Sequence, residues 1–339
     1  MNLLAAIVVF GLLVAIHEAG HFLVARWSGM RVERFSIGFG PALATFRRGE
    51  TEWRIGLLPI GGYVKIAGMS PGEEDVPADD PRSYANQPAW KRLLVIVAGP
   101  AMNYALAWTL LVGLLVAGAA QLKLDTTEIG GLVPDMPAAT AGLREGDAIV
   151  AVDGERVEDF RSLAETLGTH AAQQVTLTVE REGRRFDLPV TTNEQGQIGI
   201  RPPEEIVSFA PGEAIVRASE FLVAGSLAIV SGIVDLIRGE ATGGLMGPVG
   251  IASEVAQQAA RGLRRLLGIT VNLSIALGFF NLLPIPALDG GRAAFLLVEL
   301  VRRKPVDAKA EAWVHMIGFV LLLALILFVT VGDVGRIAR

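Results

Sequence analysis

Residues 1–21 read MNLLAAIVVFGLLVAIHEAGH, and this stretch decides how the rest of the chain is understood. Met1–Ile16 is uncharged and apolar, and it runs without a break into His17-Glu18-Ala19-Gly20-His21. On a helix, residues i and i+4 share a face, so both imidazoles can reach one ion. A glutamate one residue after the first histidine completes the zinc metalloprotease pattern, two histidine ligands and a general base. Such a pattern in a charged soluble helix arises easily by chance. Here it lies in an apolar span, where ionisable groups are costly and by default mark function. No Lys or Arg precedes Arg26, so the stretch lacks the positive n-region of a cleaved signal peptide and is expected to be retained as a membrane helix.

The composition agrees with a membrane protein. Of 339 residues, 51% are hydrophobic and 19% charged. Four charge-free runs, Met1–Ile16, Leu93–Leu122, Leu266–Leu288 and Met316–Gly332, approach or exceed the roughly 20 apolar residues that cross a bilayer core of about 30 Å. A simple soluble enzyme and a disordered chain are excluded. The net charge of −5 offers no basic surface for nucleic acid. The absence of cysteine excludes thiolate metal sites, disulfides and a cysteine nucleophile.

Charge distribution orients the spans. Arg26–Arg92 carries ten Lys+Arg and Arg292–Lys309 carries five, and loops of that kind stay inside. The N-terminus and the polar segment Thr127–Pro202 are then outside. The organisation read from the sequence is a first span at 1–26, a cytoplasmic segment at 27–92, a second span at 93–122, an outer domain at 127–202, outer amphipathic helices at 213–260, a third span at 266–291 and a fourth at 313–331. Within 213–260, Glu213–Arg238 reads as a helix, and its uncharged stretch, Phe221–Val234, has 14 residues, or about 21 Å. That is short of a span, and an amphipathic helix at the interface is the expectation.

In the outer domain, Ala148–Val152, Val175–Glu180 and Arg185–Val190 read as strands and Ser162–Leu167 as a short helix. AGLREGDAIVAVDG at 141–154 resembles bacterial PDZ domains, with Ile129–Leu132 at the position of their peptide-binding loop and strand. A PDZ module binds a peptide by adding it to a sheet edge, and a spacer with an empty groove is the plainer alternative.

A catalytic zinc takes three protein ligands and keeps one position open. Without cysteine, the third must be His, Asp or Glu. Asp289, in NLLPIPALDGG at 281–291, follows two prolines that interrupt the third apolar run. Taken alone, Asp289-Gly290 reads as a helix-ending turn. Beside an intramembrane HExxH short of one ligand, it becomes the candidate. Four spans bring His17, His21 and Asp289 to the same membrane face; a fifth at Phe221–Val234 would not. Of the other two histidines, His170 reads as a surface residue and His315 as an interfacial or packing residue.

HEAGH in the first helix, AGPAMN at 98–103, one PDZ-like domain and NLLPIPALDGG together resemble the site-2 protease family, closest to bacterial regulator-of-sigma-E proteases. The resemblance implies a polytopic α-helical membrane protein of four transmembrane helices, with an inserted β-rich PDZ-like domain and a cytoplasmic membrane-associated β-hairpin. It implies a Zn2+ enzyme of the bacterial inner membrane, held by His17, His21 and Asp289, with Glu18 as base. Its substrates would be transmembrane segments of single-pass proteins, such as an anti-sigma factor after a first cut or remnant signal peptides. Asn281 matches a position that holds substrate main chain. Phe35–Pro41, with Gly38 and Gly40, looks like the family's GxG loop, and Arg54–Lys65 like its hairpin. Pro284 and Pro286 belong to the same substrate-binding region. Gly243–Gly250 also resembles a family stretch, without evident chemistry. The best-known Gram-negative members carry two PDZ domains where this chain has room for one. A non-catalytic PDZ scaffold would need neither Glu18 nor a metal, and a zinc transporter would need polar relays that the apolar runs do not supply.

Overall fold

The computed structural model describes residues 2–69, 77, 79–239 and 246–337. Helix α1 (Asn2–Trp27) is followed by two long strands, β1 (Val32–Arg48) and β2 (Thr51–Ile66), which pair antiparallel. Register shifts fold this ribbon back on itself. Arg34–Ile37 face Glu52–Ile55 on one side and Gly62–Lys65 on the other, so the run Gly62–Ile66 lies at a sheet edge. Gly38 permits the fold: its φ is +85°, and a Cβ there would stand 2.7 Å from the Leu58 carbonyl oxygen. Arg54–Lys65 is therefore one strand of the ribbon, not a hairpin by itself, because its partner is β1.

Helix α2 (Ala89–Ala117) runs antiparallel to α1, and Phe22 and Ala25 of α1 share a core with Phe35 and Ile66 of the ribbon and Val95 and Ile96 of α2. The apolar run Leu93–Leu122 is not all helix. Gly118, at φ +97°, ends it, and Ala119–Leu122 is strand β3.

The chain divides into two compact units, Leu115–Phe209 and the remainder. The inserted unit is wider than its central polar segment because β3 pairs with β10 (Glu204–Val207). Between them come β4 (Gly131–Leu132), α3 (Pro137–Ala141), β5 (Ala148–Val152), β6 (Glu155–Arg156), α4 (Phe160–Gly168), β7 (Gln174–Arg181), β8 (Arg184–Thr191) and β9 (Ile200–Arg201). The main sheet has the order β6-β5-β7-β8, and β4 pairs with β9. Alternation along β7 sends Val175, Leu177 and Val179 into a core with Ile129, Ile149, Leu163 and Ile198. Asp159 caps α4 through the Ser162 backbone N–H.

Asp147 is the unit's buried ion. It accepts from Arg181 Nε at 2.6 Å, Arg181 Nη2 at 2.7 Å and the Arg144 backbone N–H at 2.7 Å. Burial pushes its carboxyl up, but the guanidinium and the backbone donor outweigh burial and hold it below its ordinary value. A depressed carboxylate stabilises the fold fully above its unfolded value near pH 4 and loses that stabilisation as pH falls through the lower folded value. Asp147→Asn should lower the stability of this unit by about 1–3 kcal/mol at pH 7, with a smaller deficit in acid. Thermal unfolding of the full-length protein in detergent at both pH values measures it.

After the insert come α5 (Pro211–Arg238), α6 (Pro248–Ala260), α7 (Leu263–Leu282), α8 (Asp289–Arg302) and α9 (Ala308–Ile337). Among the described residues, five helices are long and apolar enough to cross a membrane: Leu4–Trp27, Ala89–Ala117, Pro211–Arg238, Leu263–Leu282 and Lys309–Gly335. The expectation of four is corrected in one respect. The helix expected over Glu213–Arg238 is there, as Pro211–Arg238, but judging its reach by the 14 uncharged residues alone is too strict: all 28 residues, about 42 Å, are apolar enough to cross. Of the Gly243–Gly250 stretch, residues 243–245 lie outside the described residues. The rest has a structural role: the Gly247 and Gly250 N–H groups at the start of α6 donate to the two carboxylate oxygens of Asp333 on α9, at 3.1 and 2.7 Å.

Candidate metal centre

The site is assembled at the crossing of α1 and α2. Gly20 lets them touch, since a Cβ there would lie 2.2 Å from the Ala98 carbonyl oxygen. Gly99 faces both imidazoles; a Cβ would lie 2.3 Å from His21 Nε2 and 2.9 Å from His17 Nε2. Pro100 has no N–H to return to the preceding turn of α2, which loosens the helical ladder there. In that turn, the Val95 carbonyl accepts from His21 Nδ1 at 2.7 Å. Asn103, fully buried on the next turn, sets its side-chain amide 3.2 Å from His17 Nδ1.

The third group arrives from far along the sequence. Helix α7 stops at Leu282, ahead of Pro284 and Pro286, and Asp289 opens α8. Gly290 and Gly291 allow α8 to start against the preceding loop, where a Cβ would meet the Leu283 or Ile285 carbonyl oxygen at 2.0 and 2.5 Å. Arg92 of α2 pairs with Glu299 of α8.

The three candidate ligand atoms face one another. Asp289 Oδ2 is 3.0 Å from His17 Nε2 and 3.3 Å from His21 Nε2, and the two Nε2 atoms are 3.2 Å apart. A tetrahedral site with bonds of about 2.0–2.1 Å has ligand–ligand edges of about 3.3–3.4 Å, so the spacing fits a zinc-sized cation. The proton inventory agrees. His21 commits its Nδ1–H to Val95, which leaves Nε2 a lone pair. Asn103 Oδ1 has no partner among the described residues, and turning the amide lets it accept the His17 Nδ1–H. Two lone pairs and a carboxylate oxygen then converge, an arrangement that a cation satisfies and hydrogen bonds do not.

A cavity of about 420 Å³ opens beside the trio. Its wall includes Glu18, Asn281 and Arg292, together with Tyr63–Ile66 from the edge run of β2. The Glu18 stem lies over Gly62, whose Cβ would stand 3.4 Å from Glu18 Cγ. Asn281 donates from Nδ2 to the Leu277 carbonyl at 3.0 Å. Gly38, Gly40, Pro284 and Pro286 do not line this cavity; the neighbouring Ala287 and Leu288 do. Gly99 and Asn103 lie within the AGPAMN stretch, but no role for either follows from the sequence alone.

The profile of peptidase family M50 matches residues 5–325. A protein of Geobacillus kaustophilus named zinc metalloprotease RasP is 32% identical over 99% of this chain and 98% of its own. The regulator of sigma-W protease RasP of Bacillus subtilis is 30% identical over 99% of both chains. Among solved structures, the PDZ domain of an SdrC-like protein from Listeria monocytogenes is 20% identical, with a TM-score of 0.20, over 24% of this chain and 90% of its own. With an HExxH helix, a converging aspartate and a profile match along almost its entire length, the chain belongs to peptidase family M50, the site-2 proteases.

Proposed function

We propose that this protein is a zinc-dependent intramembrane endopeptidase that cuts transmembrane segments of single-pass membrane proteins. The observation that carries the reading is the convergence of His17 Nε2, His21 Nε2 and Asp289 Oδ2 beside Glu18. Two imidazoles and a carboxylate suit zinc, and relatives named zinc metalloproteases support that choice. When bound, zinc polarises water and the scissile carbonyl and makes hydroxide available near neutral pH. Glu18 takes the proton of the attacking water on its carboxylate and returns it to the leaving nitrogen as the C–N bond breaks.

A helical substrate hides its peptide bonds in internal hydrogen bonds and must be unwound. The edge run Gly62–Ile66 offers a sheet edge to which the released segment can add as a strand, next to Glu18. Asn281 supplies an amide that donates to and accepts from substrate main chain. Gly38 and Gly40 shape the ribbon, and Pro284 and Pro286 interrupt the helix to deliver Asp289, so all four act on substrate through their neighbours. The exposed Phe39, Leu43, Phe46, Ile55, Leu57 and Leu58 support membrane association of the ribbon.

The protein sits in the bacterial inner membrane in four crossings, with its N-terminus and PDZ-like domain outside and the metal towards the cytoplasm. Three contacts support four crossings over five. Trp108 of α2 bonds Ser219 of α5, so α5 starts where α2 ends. Val255 of α6 packs on Ala6, Val9 and Leu13, the outer half of α1. Gly247 meets Asp333, about 27 Å up α9 from His315. These contacts put the start of α5 and helix α6 at the same end of the bundle, in keeping with an inserted segment, while Tyr104 bonds Ser226 and Leu222 and Ile229 pack beside Val271 and Ile275, which keeps α5 against α2 and α7. An anti-sigma factor, already shortened by a first cut, is the substrate class in keeping with the name of the Bacillus relative; remnant signal peptides fit the same chemistry. The PDZ-like domain binds a peptide segment of such partners.

Chelation should abolish cleavage of a single-pass substrate in detergent, and about one equivalent of zinc per chain should restore it. Cleavage that persists after complete zinc removal would sink this reading.

A further inference from the structure

Resting on the reading of His17, His21 and Asp289 as the metal ligands, we propose that His315 is a positioning residue of the metal centre, and that α9 holds the third ligand in place through His315 and Gly318. His315 Nδ1 accepts the Ala287 backbone N–H at 2.9 Å. Ala287 is two residues before Asp289 and has a φ of +77°. A residue with a Cβ rarely adopts that conformation, and it persists only where the surroundings impose it.

The surroundings here are on α9. One turn beyond His315, Gly318 lies against the same loop, where a Cβ would stand 2.4 Å from Pro286 Cβ and 2.8 Å from the Pro286 carbonyl oxygen. Residues i and i+3 share a helix face, so a ring and a bare backbone form one seat for Pro286-Ala287. The ring is itself held, 5.7 Å from the Phe295 ring of α8. Its side chain is only 16% exposed, and its Nε2 has no hydrogen-bond partner among the described residues, the Glu311 carboxylate being 4.0 Å away. Because Nδ1 accepts, Nε2 carries the proton. The imidazole is committed as an acceptor and is not a fourth ligand.

The chemistry follows from the short lever. Without the acceptor, the Ala287 N–H loses its partner and the residue is free to return to negative φ. Asp289 follows two residues later, so its carboxylate leaves the 3.0–3.3 Å triangle. Groups that orient metal ligands typically change metal affinity by about 10–100-fold.

The test measures zinc affinity of the detergent-solubilised full chain by competition with a chromophoric chelator, and the visible spectrum of the cobalt-loaded protein. His315→Leu fills the space without an acceptor. His315→Asn retains an oxygen near the Nδ1 position. Gly318→Ala disturbs the loop without altering the ring. The expected result is an affinity fall of about 10–100-fold in His315→Leu, with a weakened tetrahedral cobalt band, recovery of most of the affinity in His315→Asn, and a loss in Gly318→Ala. A folded His315→Leu that binds zinc like wild type overturns the proposal, as does a His315→Asn no better than His315→Leu. If His315→Leu does not fold, retention of affinity in both other variants overturns it. Failure of the wild type to bind zinc would instead strike the metal reading itself.

Discussion

Glu18→Gln is expected to abolish peptide-bond cleavage while leaving about one zinc per chain in place. Glutamine keeps the length and shape of the side chain and loses the basic carboxylate. Glu18 is not one of the three converging ligand atoms, which come from His17, His21 and Asp289, so the metal should stay. A positioned general base contributes roughly 10²–10⁴-fold, and the variant should fall by at least that much. Cleavage of a single-pass substrate in detergent, with zinc assayed on the same preparations, decides it. Wild-type rates in the variant would remove Glu18 from the chemistry. If zinc is retained in both proteins and neither cuts any trimmed membrane substrate, a scaffold or transport role takes precedence.

Gly99→Ala should be almost as damaging, by a different route. The substitution improves local helix propensity by about 1 kcal/mol in the middle of α2. It also sets a methyl group 2.3 Å from His21 Nε2 and 2.9 Å from His17 Nε2. Neither ring can swing aside without giving up its Nδ1 partner, Val95 for one and Asn103 for the other. Zinc affinity should drop by about 10²-fold or more, in a protein whose helix content is unchanged by circular dichroism. Zinc binding at wild-type strength would mean that the two helices can separate at their crossing at little cost.

The contrast between these two residues shows what was legible in the sequence. Glu18 stands out because its partners are one and three residues away, and helical spacing fixes their relation. Asp289 is reached only by asking what the histidines lack. Gly99 and Asn103 act across a helix crossing on residues of another element, and no local pattern records that. His315 reaches a backbone N–H 28 residues earlier, and a single histidine near a helix start carries no sign of it. The strands at 148–152, 175–180 and 185–190 are readable because their signals are local, an apolar run ending in the turn Asp153-Gly154 for the first and alternation for the other two. The strand at Ala119–Leu122 was hidden because it continues the apolar run of α2 and its partner, Glu204–Val207, lies far downstream. Helix α8 was concealed by its charges, which mark Arg292–Lys309 as a loop while an apolar face is buried at Leu296.

The 272-residue separation of His17 and Asp289 also has a meaning in time. A ribosome adding about 5–20 residues per second makes the first histidine roughly 15–55 s before the carboxylate that completes its site. Throughout that interval the emerging chain has its base, two imidazoles and the exposed backbone of the ribbon, but no third ligand. A protease whose substrates are membrane helices is built among membrane helices, its own included. With Asp289 as the proposed third ligand, the metal site cannot close until α8 has been made, after the elements that carry the base and both histidines.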